Sequence, residues 1–394
     1  TLSYIVIFFL MLQSLRRREQ LRRLVTTVIL TSFPIAVYGI VQHYRLDPLP
    51  WAGDVSQRVA ANMGNSIFVA AYYIMVFPLT MGRIIESFLA ILNDDGNLLA
   101  NFARATVYVF IASLQVIALL FSGSRGPLLG WLAGLFFLFL VLSLLWRKRW
   151  LTISVVATAT LLGVFLVLFN IPGGPLESLR ALPGIGRLGH LVDEESKTSR
   201  VRTLIWQGAA QLVLPHKPLE YPDGHLDAFN VLRPLIGYGP ENMFVAYNPF
   251  FPPELTQVEK RGRTPDRSHN ETWDSLITTG VLGLLVYLSL FISIFYIGLK
   301  ALRLLVTPNQ KRLFFSFVLG GGALGAAGFI VWRGVGYFGV GLPFGMIFGL
   351  FLYFVWLAIS GNYHPIQDKV DRPWTLVIAS LLAAILAHFV EINF

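Results

Sequence analysis

GPLLGWLAGLFFLFLVLSLLWRKRW, residues 126–150, decides the fold class. From Pro127 to Trp146 the chain carries no charge, and Arg147, Lys148 and Arg149 follow at once. As a helix rising about 1.5 Å per residue, that run crosses a hydrocarbon core about 30 Å thick. Similar runs recur along the 394 residues, at about 1–12 (partial), 24–43, 66–85, 104–121, 127–146, 151–169, 276–299, 313–331, 335–358 and 374–392. The expectation is an all-α integral membrane protein with about ten transmembrane helices. The alternating ten-residue pattern of a membrane β-barrel is absent.

Composition agrees. Hydrophobic residues make up 55 % and charged residues 13 %, against roughly 25 % charged in a soluble domain. There is no cysteine, which removes disulfides, thiolate nucleophiles and cysteine-held metals. The net charge of +9 does not require nucleic acid, because many basic residues sit in short connections between spans. Arg16, Arg17, Arg18, Arg22 and Arg23 fill the first connection. Arg147 to Arg149, then Lys300, Arg303, Lys311 and Arg312, then Lys369 and Arg372 fill others on the same side. The positive-inside rule puts that side in the cytoplasm. The long connection is then outside, which divides the chain into an N-terminal bundle (1–169), an extracytoplasmic loop domain (170–275) and a C-terminal bundle (276–394).

The loop opens on a Pro- and Gly-rich stretch, IPGGPLESLRALPGIGRLG (171–189), where no regular helix is expected. TSRVRTLIWQGAAQLVL (198–214) follows. Val201, Leu204, Ile205, Ala209 and Leu212 recur at helical spacing, so this segment reads as an amphipathic helix capped by Thr198 or Ser199. It would lie on the membrane surface or on the bundle. The rest of the loop is rich in Pro, Gly and aromatics, irregular but packed.

Four outward-facing positions can carry chemistry. Arg125 sits in the SGSRGP turn (122–127) between two spans; the bland alternative is an arginine snorkelling to headgroups. Arg200 and Arg202 lie on the amphipathic helix, with Arg202 and Trp206 on one face; attraction to anionic lipid is the alternative. His269 and Asn270 open RSHNETWDSLITTGVLGLL (267–285), just before a span, where capping alone is the alternative. Arg333 stands in an apolar region, where a charge is costly. Arginine binds phosphate through a bidentate fork, and histidine accepts a proton near neutral pH. Together they suit a lipid pyrophosphate substrate and an activated acceptor hydroxyl.

Other motifs carry less. The GxGxxG matches at 184–189 and 334–339 follow no strand of a βαβ unit, so neither is a dinucleotide site. The glycines from Gly320 to Gly349 suit close packing of spans. Asn270-Glu271-Thr272 lies too close to a span for a glycosylation acceptor. The seven histidines lack paired-ligand spacing, so no metal and no cofactor is expected.

Four stretches resemble the O-antigen ligase and O-antigen polymerase superfamily of bacterial envelope glycosyltransferases. They are RVAANMGNSIFVAAYYIMVFPL (58–79), SGSRGPLLGWLAGL (122–135), SRVRTLIWQGAAQLV with PLIGYGPENMF (199–244), and SHNETWDSLITTGVLGLLVYL (268–288). The resemblance implies a helical C-type glycosyltransferase with about twelve spans in the intact protein. Its donor would be a glycan on undecaprenyl pyrophosphate, used without metal or nucleotide, in the bacterial inner membrane. The acceptor would be lipid A-core, as in lipopolysaccharide assembly, or a growing glycan or a protein hydroxyl. By motif match, Arg125 and Arg202 would bind the pyrophosphate, with Arg200 and Arg333 as weaker candidates. His269 would act as the base or orient the acceptor, beside Asn270. The stretches 220–234 and 250–268 make the loop longer than in the simplest members. Two readings of other classes stay open: a transporter of lipid-linked substrates, favoured by the glycine-rich 320–349 region, and an assembly protein.

Overall fold

The computed structural model describes residues 2–51, 53–171, 173–181, 186, 189, 197–221, 223–259, 264–361 and 372–394. Most of the 184–189 glycine motif, the Lys369 of the last basic connection and part of the 250–268 stretch lie outside the described residues. Among the described residues there is no strand; one isolated antiparallel bridge joins Glu220 and Leu226. The helices in chain order are α1 (Leu2–Ser14), α2 (Arg18–His43), α3 (Ser66–Leu92), α4 (Leu98–Ser122), α5 (Arg125–Leu145), α6 (Arg149–Phe169), α7 (Lys197–Val213) and the short α8 (Arg233–Ile236), α9 (Met243–Ala246) and α10 (Leu255–Val258). Then come α11 (Glu271–Ala301), α12 (Pro308–Arg333), α13 (Phe338–Ser360) and α14 (Arg372–Asn393). Among the described residues nine helices are long and apolar enough to cross a membrane. The tenth expected span, at 1–12, is the 13-residue apolar α1.

Several helices are longer than the apolar runs that announce them, because they continue into polar caps. Asn65, Asn97, Asn270 and Thr307 each accept a first-turn backbone N–H. At α2 the Gln20 side chain accepts the Arg16 and Arg17 amides, both at 2.9 Å. The helix therefore starts at Arg18, and Arg18, Arg22 and Arg23 stand in its first turns rather than in the connection where they were expected.

Two compact units make up the chain. The first holds 1–155 and 365–388, the second 156–364 and 389–394. In the first, Gln115 of α4 donates to Ser32 Oγ of α2 (2.6 Å) and Thr80 Oγ1 of α3 (3.1 Å), all three fully buried. Side-chain bonds of this kind join helices in a surrounding that offers no water. Around them Ala36, Ala70, Tyr73, Ile74 and Ala118 form a buried layer.

In the second unit, α7 lays Leu204, Ile205, Trp206, Ala209 and Leu212 into a core with Tyr238, Tyr247, Trp273 and Ile277. This is the apolar stripe read from the sequence. It is covered by protein, and the helix begins at Lys197, ahead of the Thr198 or Ser199 expected as its cap. The loop is fastened to α11 at a break in that helix. Gly280 has φ 65° and ψ −168°, so its turn is not helical. The carbonyls of Ile277 and Thr278 then accept the amides of Tyr238 (2.7 Å) and Gly239 (2.9 Å). A side chain at Gly237 would run into the Thr278 backbone, and one at Gly280 into Leu235. Beside this joint, Arg233 grips Asp227 with two bonds (2.8 and 2.9 Å) and stacks over Tyr238, whose hydroxyl meets His216 at 2.8 Å.

The glycines of α12 and α13 do pack spans. A Cβ at Gly321 would strike the Gly345 carbonyl, one at Gly345 the Gly321 carbonyl, and one at Gly349 the Phe317 carbonyl. Gly320, one residue away, faces open space. Gly345→Val is therefore expected to destabilise the protein by about 2 kcal/mol or more through overpacking, seen as a lowered thermal midpoint in detergent. Gly320→Ala should leave that midpoint unchanged or slightly raised.

Candidate active site

Ser268, His269 and Asn270 form the entry to α11, and each is fixed differently. Asn270 caps the helix: its Oδ1 accepts the Trp273 amide at 3.0 Å. Its Nδ2 donates to the carbonyls of Gly339 and Asn393, both at 2.9 Å. Only 1 % of Asn270 is exposed. Ser268 is held by Asp274, whose Oδ1 accepts the Ser268 amide (2.8 Å) and hydroxyl (2.7 Å). Trp206 of α7 donates from Nε1 to the Ser268 carbonyl (3.0 Å), and Trp273 donates from Nε1 to the Gly336 carbonyl (2.9 Å).

Between these two fixed neighbours His269 has φ 57°, in the left-handed region. For a residue with a side chain this conformation costs about 1 kcal/mol or more, so the surrounding bonds must impose it. His269 as a residue is exposed, while the protein around it partly desolvates its ring. The protein around the ring still disfavours the imidazolium. Burial lowers the His269 pKa below its ordinary 6.5, and the Arg202 guanidinium lowers it further; Asp274 and Asp266 pull the other way, and Arg267 adds a small lowering. The lowering favours the neutral imidazole, whose lone pair can take a proton.

Arg202 acts on this ring electrostatically, from the helix face it shares with Trp206. With the Trp206 indole bonded to Ser268, Arg202 one turn earlier stands near His269. Arg202 is half-buried and donates from Nη1 to the Phe394 carbonyl oxygen at 3.1 Å. Arg200 lies exposed on the same helix. Arg333 ends α12, exposed, with its guanidinium 4.3 Å from the Trp332 ring centroid. That is three residues before Gly336, the carbonyl that Trp273 holds.

On the other side of the loop entry is a cavity of about 190 Å³, with Glu241, Asp266, Arg267, Glu271 and Asp274 in its lining. Arg267 pairs with Glu241 at 2.9 Å. The cavity offers carboxylate acceptors suited to the hydroxyls of a sugar. Among the described residues no group of three His, Asp or Glu side chains is arranged to hold a metal ion.

Arg125 belongs to the first unit, as residue one of α5. Its N-cap, Ser124, makes no side-chain capping bond, so the first-turn amides of α5 lack that acceptor. Arg58 comes to the same turn, donating from Nε to the Ser122 carbonyl (3.5 Å) and from Nη2 to Ser124 Oγ (3.3 Å). In the sequence Arg58 only opens the 58–79 stretch and is not among the candidate site residues. Its place beside the turn depends on the Val59 amide bonding the Phe121 carbonyl (3.2 Å), a contact 62 positions apart that no local pattern announces.

A family model described as O-antigen ligase matches residues 109–220. The matched stretch contains Arg125, Arg200 and Arg202 and ends before His269. Comparison with curated proteins and with solved structures finds no match. On an all-α protein with nine candidate membrane spans among its described residues, the match over residues 109–220 supports the O-antigen ligase superfamily.

Proposed function

We propose that the chain is a glycosyltransferase that moves a glycan from an undecaprenyl-pyrophosphate donor to an acceptor hydroxyl, as an O-antigen ligase does. The observation that carries this reading is the left-handed, exposed His269 at the α11 entry, held between two hydrogen-bonded neighbours, with the Arg202 charge acting on it to lower its pKa. In this proposal His269 withdraws the proton of the acceptor hydroxyl, whose oxygen attacks the anomeric carbon. The C–O bond to the pyrophosphate breaks, and the leaving charge is taken up by arginines. Arg202 serves there. Arg125, with Arg58 and the α5 N-terminus, offers a second place for diphosphate oxygens. Arg200 and Arg333 are further candidates for the same task. Asn270, with its amide committed to three backbone groups, acts as a positioning residue.

The carboxylate-lined cavity beside the α11 entry is the proposed acceptor side. A polysaccharide polymerase or a protein O-oligosaccharyltransferase would use the same groups with another acceptor. The site would face the periplasm from the inner membrane, following the basic connections, and no metal would take part.

His269→Asn tests the central role, because asparagine tolerates the left-handed backbone that His269 occupies. The variant should keep its thermal midpoint and lose about 100-fold or more in glycan transfer. Unimpaired turnover would remove His269 from the chemistry. Flux of lipid-linked glycan across proteoliposomes without chemical change would instead favour a transporter.

The pH profile supplies a second test. A base with a lowered pKa stays unprotonated further into acid, so the acidic limb of kcat/KM should fall below pH 6.5. Arg202→Gln removes one cause of the lowering and should move that limb upward, in addition to reducing the rate. A limb unmoved in Arg202→Gln would show that Arg202 does not act on His269.

A further inference from the structure

A second concentration of arginine lies within the first unit, well away from the Ser122–Arg125 turn. The first turns of α2, the last turns of α3 and the first turns of α4 enclose a cavity of about 590 Å³. Arg22, Arg23, Arg83 and Arg104 line it, with Glu86 the one acidic group among its described lining residues. Its volume lies within the range of small-molecule sites. From Arg104 to Ser122, α4 runs 18 residues, about 27 Å of helix, so this cavity and the turn occupy opposite ends of the helix.

Arginines that only set membrane orientation extend into water from loops. Here they converge from three helices, and Arg83 is buried, with 6 % exposed. It stands about two and a half turns inside the C-terminal end of α3. Its Nη1 pairs with Glu86 at 2.8 Å, and its Nη2 donates to the Arg22 carbonyl (2.7 Å) and Thr26 Oγ1 (3.1 Å). Its Nε is buried without a hydrogen-bond partner. Arg22 also bonds Glu86, so one carboxylate serves two guanidiniums. Four positive groups against one negative leave the cavity with a net charge of about +3 (4 − 1). Of the four only Arg83 is buried, and so much like charge gathered around one carboxylate favours an anion among the guanidiniums.

Guanidinium forks match the oxygens of a phosphate bidentately. The neighbours of the lining residues are apolar and exposed: Leu24 beside Arg23, Phe88 beside Ser87, Phe102 beside Asn101. Lipid chains would lie along those side chains while a headgroup entered between the arginines. We propose that this cavity binds a phosphate mono- or diester, supplied by the headgroup of an anionic membrane lipid, at the end of the bundle opposite the Arg125 turn. Arg23 and Arg104, exposed at its edge, capture the headgroup, and Arg22 and Arg83 complete the site.

The test uses the full chain in detergent, with native mass spectrometry to count retained lipid after exposure to equal phosphatidylglycerol and phosphatidylcholine. The wild type should retain phosphatidylglycerol preferentially. Arg23→Gln with Arg104→Gln should cut that preference about tenfold or more, at roughly fivefold per arginine. Arg16→Gln with Arg17→Gln removes the same charge from the neighbouring exposed connection and should leave the preference intact. Equal retention of the two lipids overturns the lipid assignment, and equal loss in both double variants reduces the effect to diffuse surface charge. A parallel arm adds inorganic phosphate at matched ionic strength. Thermal protection by phosphate that Arg23→Gln/Arg104→Gln abolishes, without a lipid preference, would keep the phosphate site and assign its source to free phosphate.

Discussion

One side-chain amide organises the second unit. Asn270 starts α11, and the same group holds the beginning of α13 through Gly339 and the end of α14 through Asn393. A buried amide has few other partners, so each unmade bond would cost about 1–3 kcal/mol. That penalty fixes three segments to one point. A side chain at Gly339 would collide with Asn270 and Trp273, so the glycine there is part of the same arrangement. His269 inherits its position from this lock and from Ser268, which is tied to Asp274 and Trp206. The histidine makes none of these bonds and remains displayed.

The same economy explains the break in α11. A continuous helix would keep the carbonyls of Ile277 and Thr278 for itself. The turn at Gly280 releases them to Tyr238 and Gly239, so at this joint the loop is bonded to the helix through backbone groups. Irregular backbone near a membrane is tolerated where protein covers it, and here α8 and α7 do so. Rigid attachment of loop to span suits a reaction at headgroup depth. In the proposed function, substrates held in the membrane would arrive at a fixed height, and His269 would have to stand at that height.

Electrostatics separates the two arginine-bearing regions by task. Near His269 the guanidinium of Arg202 favours the neutral imidazole, which is the form a base needs. In the cavity of the first unit, several guanidiniums gather where no base stands, and binding rather than proton transfer is what they can do. In the two proposals one residue type serves two purposes, and the neighbours decide which.

The spans, the amphipathic α7 and the close packing of α12 on α13 were legible in the sequence, because each rests on spacing within one segment. Uncharged runs of span length, a 3.6-residue apolar stripe and regularly placed glycines are local patterns, and local geometry reads them directly. His269 and Arg202 were legible as candidates from residue type and position at a membrane edge. Their proximity was not, since it depends on the Trp206 indole meeting a carbonyl 62 residues later. The helix break at Gly280, the arrival of Arg58 at the Ser124 turn and the gathering of Arg22, Arg83 and Arg104 were equally invisible. Sequence periodicity reports which face of a helix is apolar. Which helix that face meets, and which charges then share a cavity, is decided only when distant segments bury against each other and every buried polar group must find a partner.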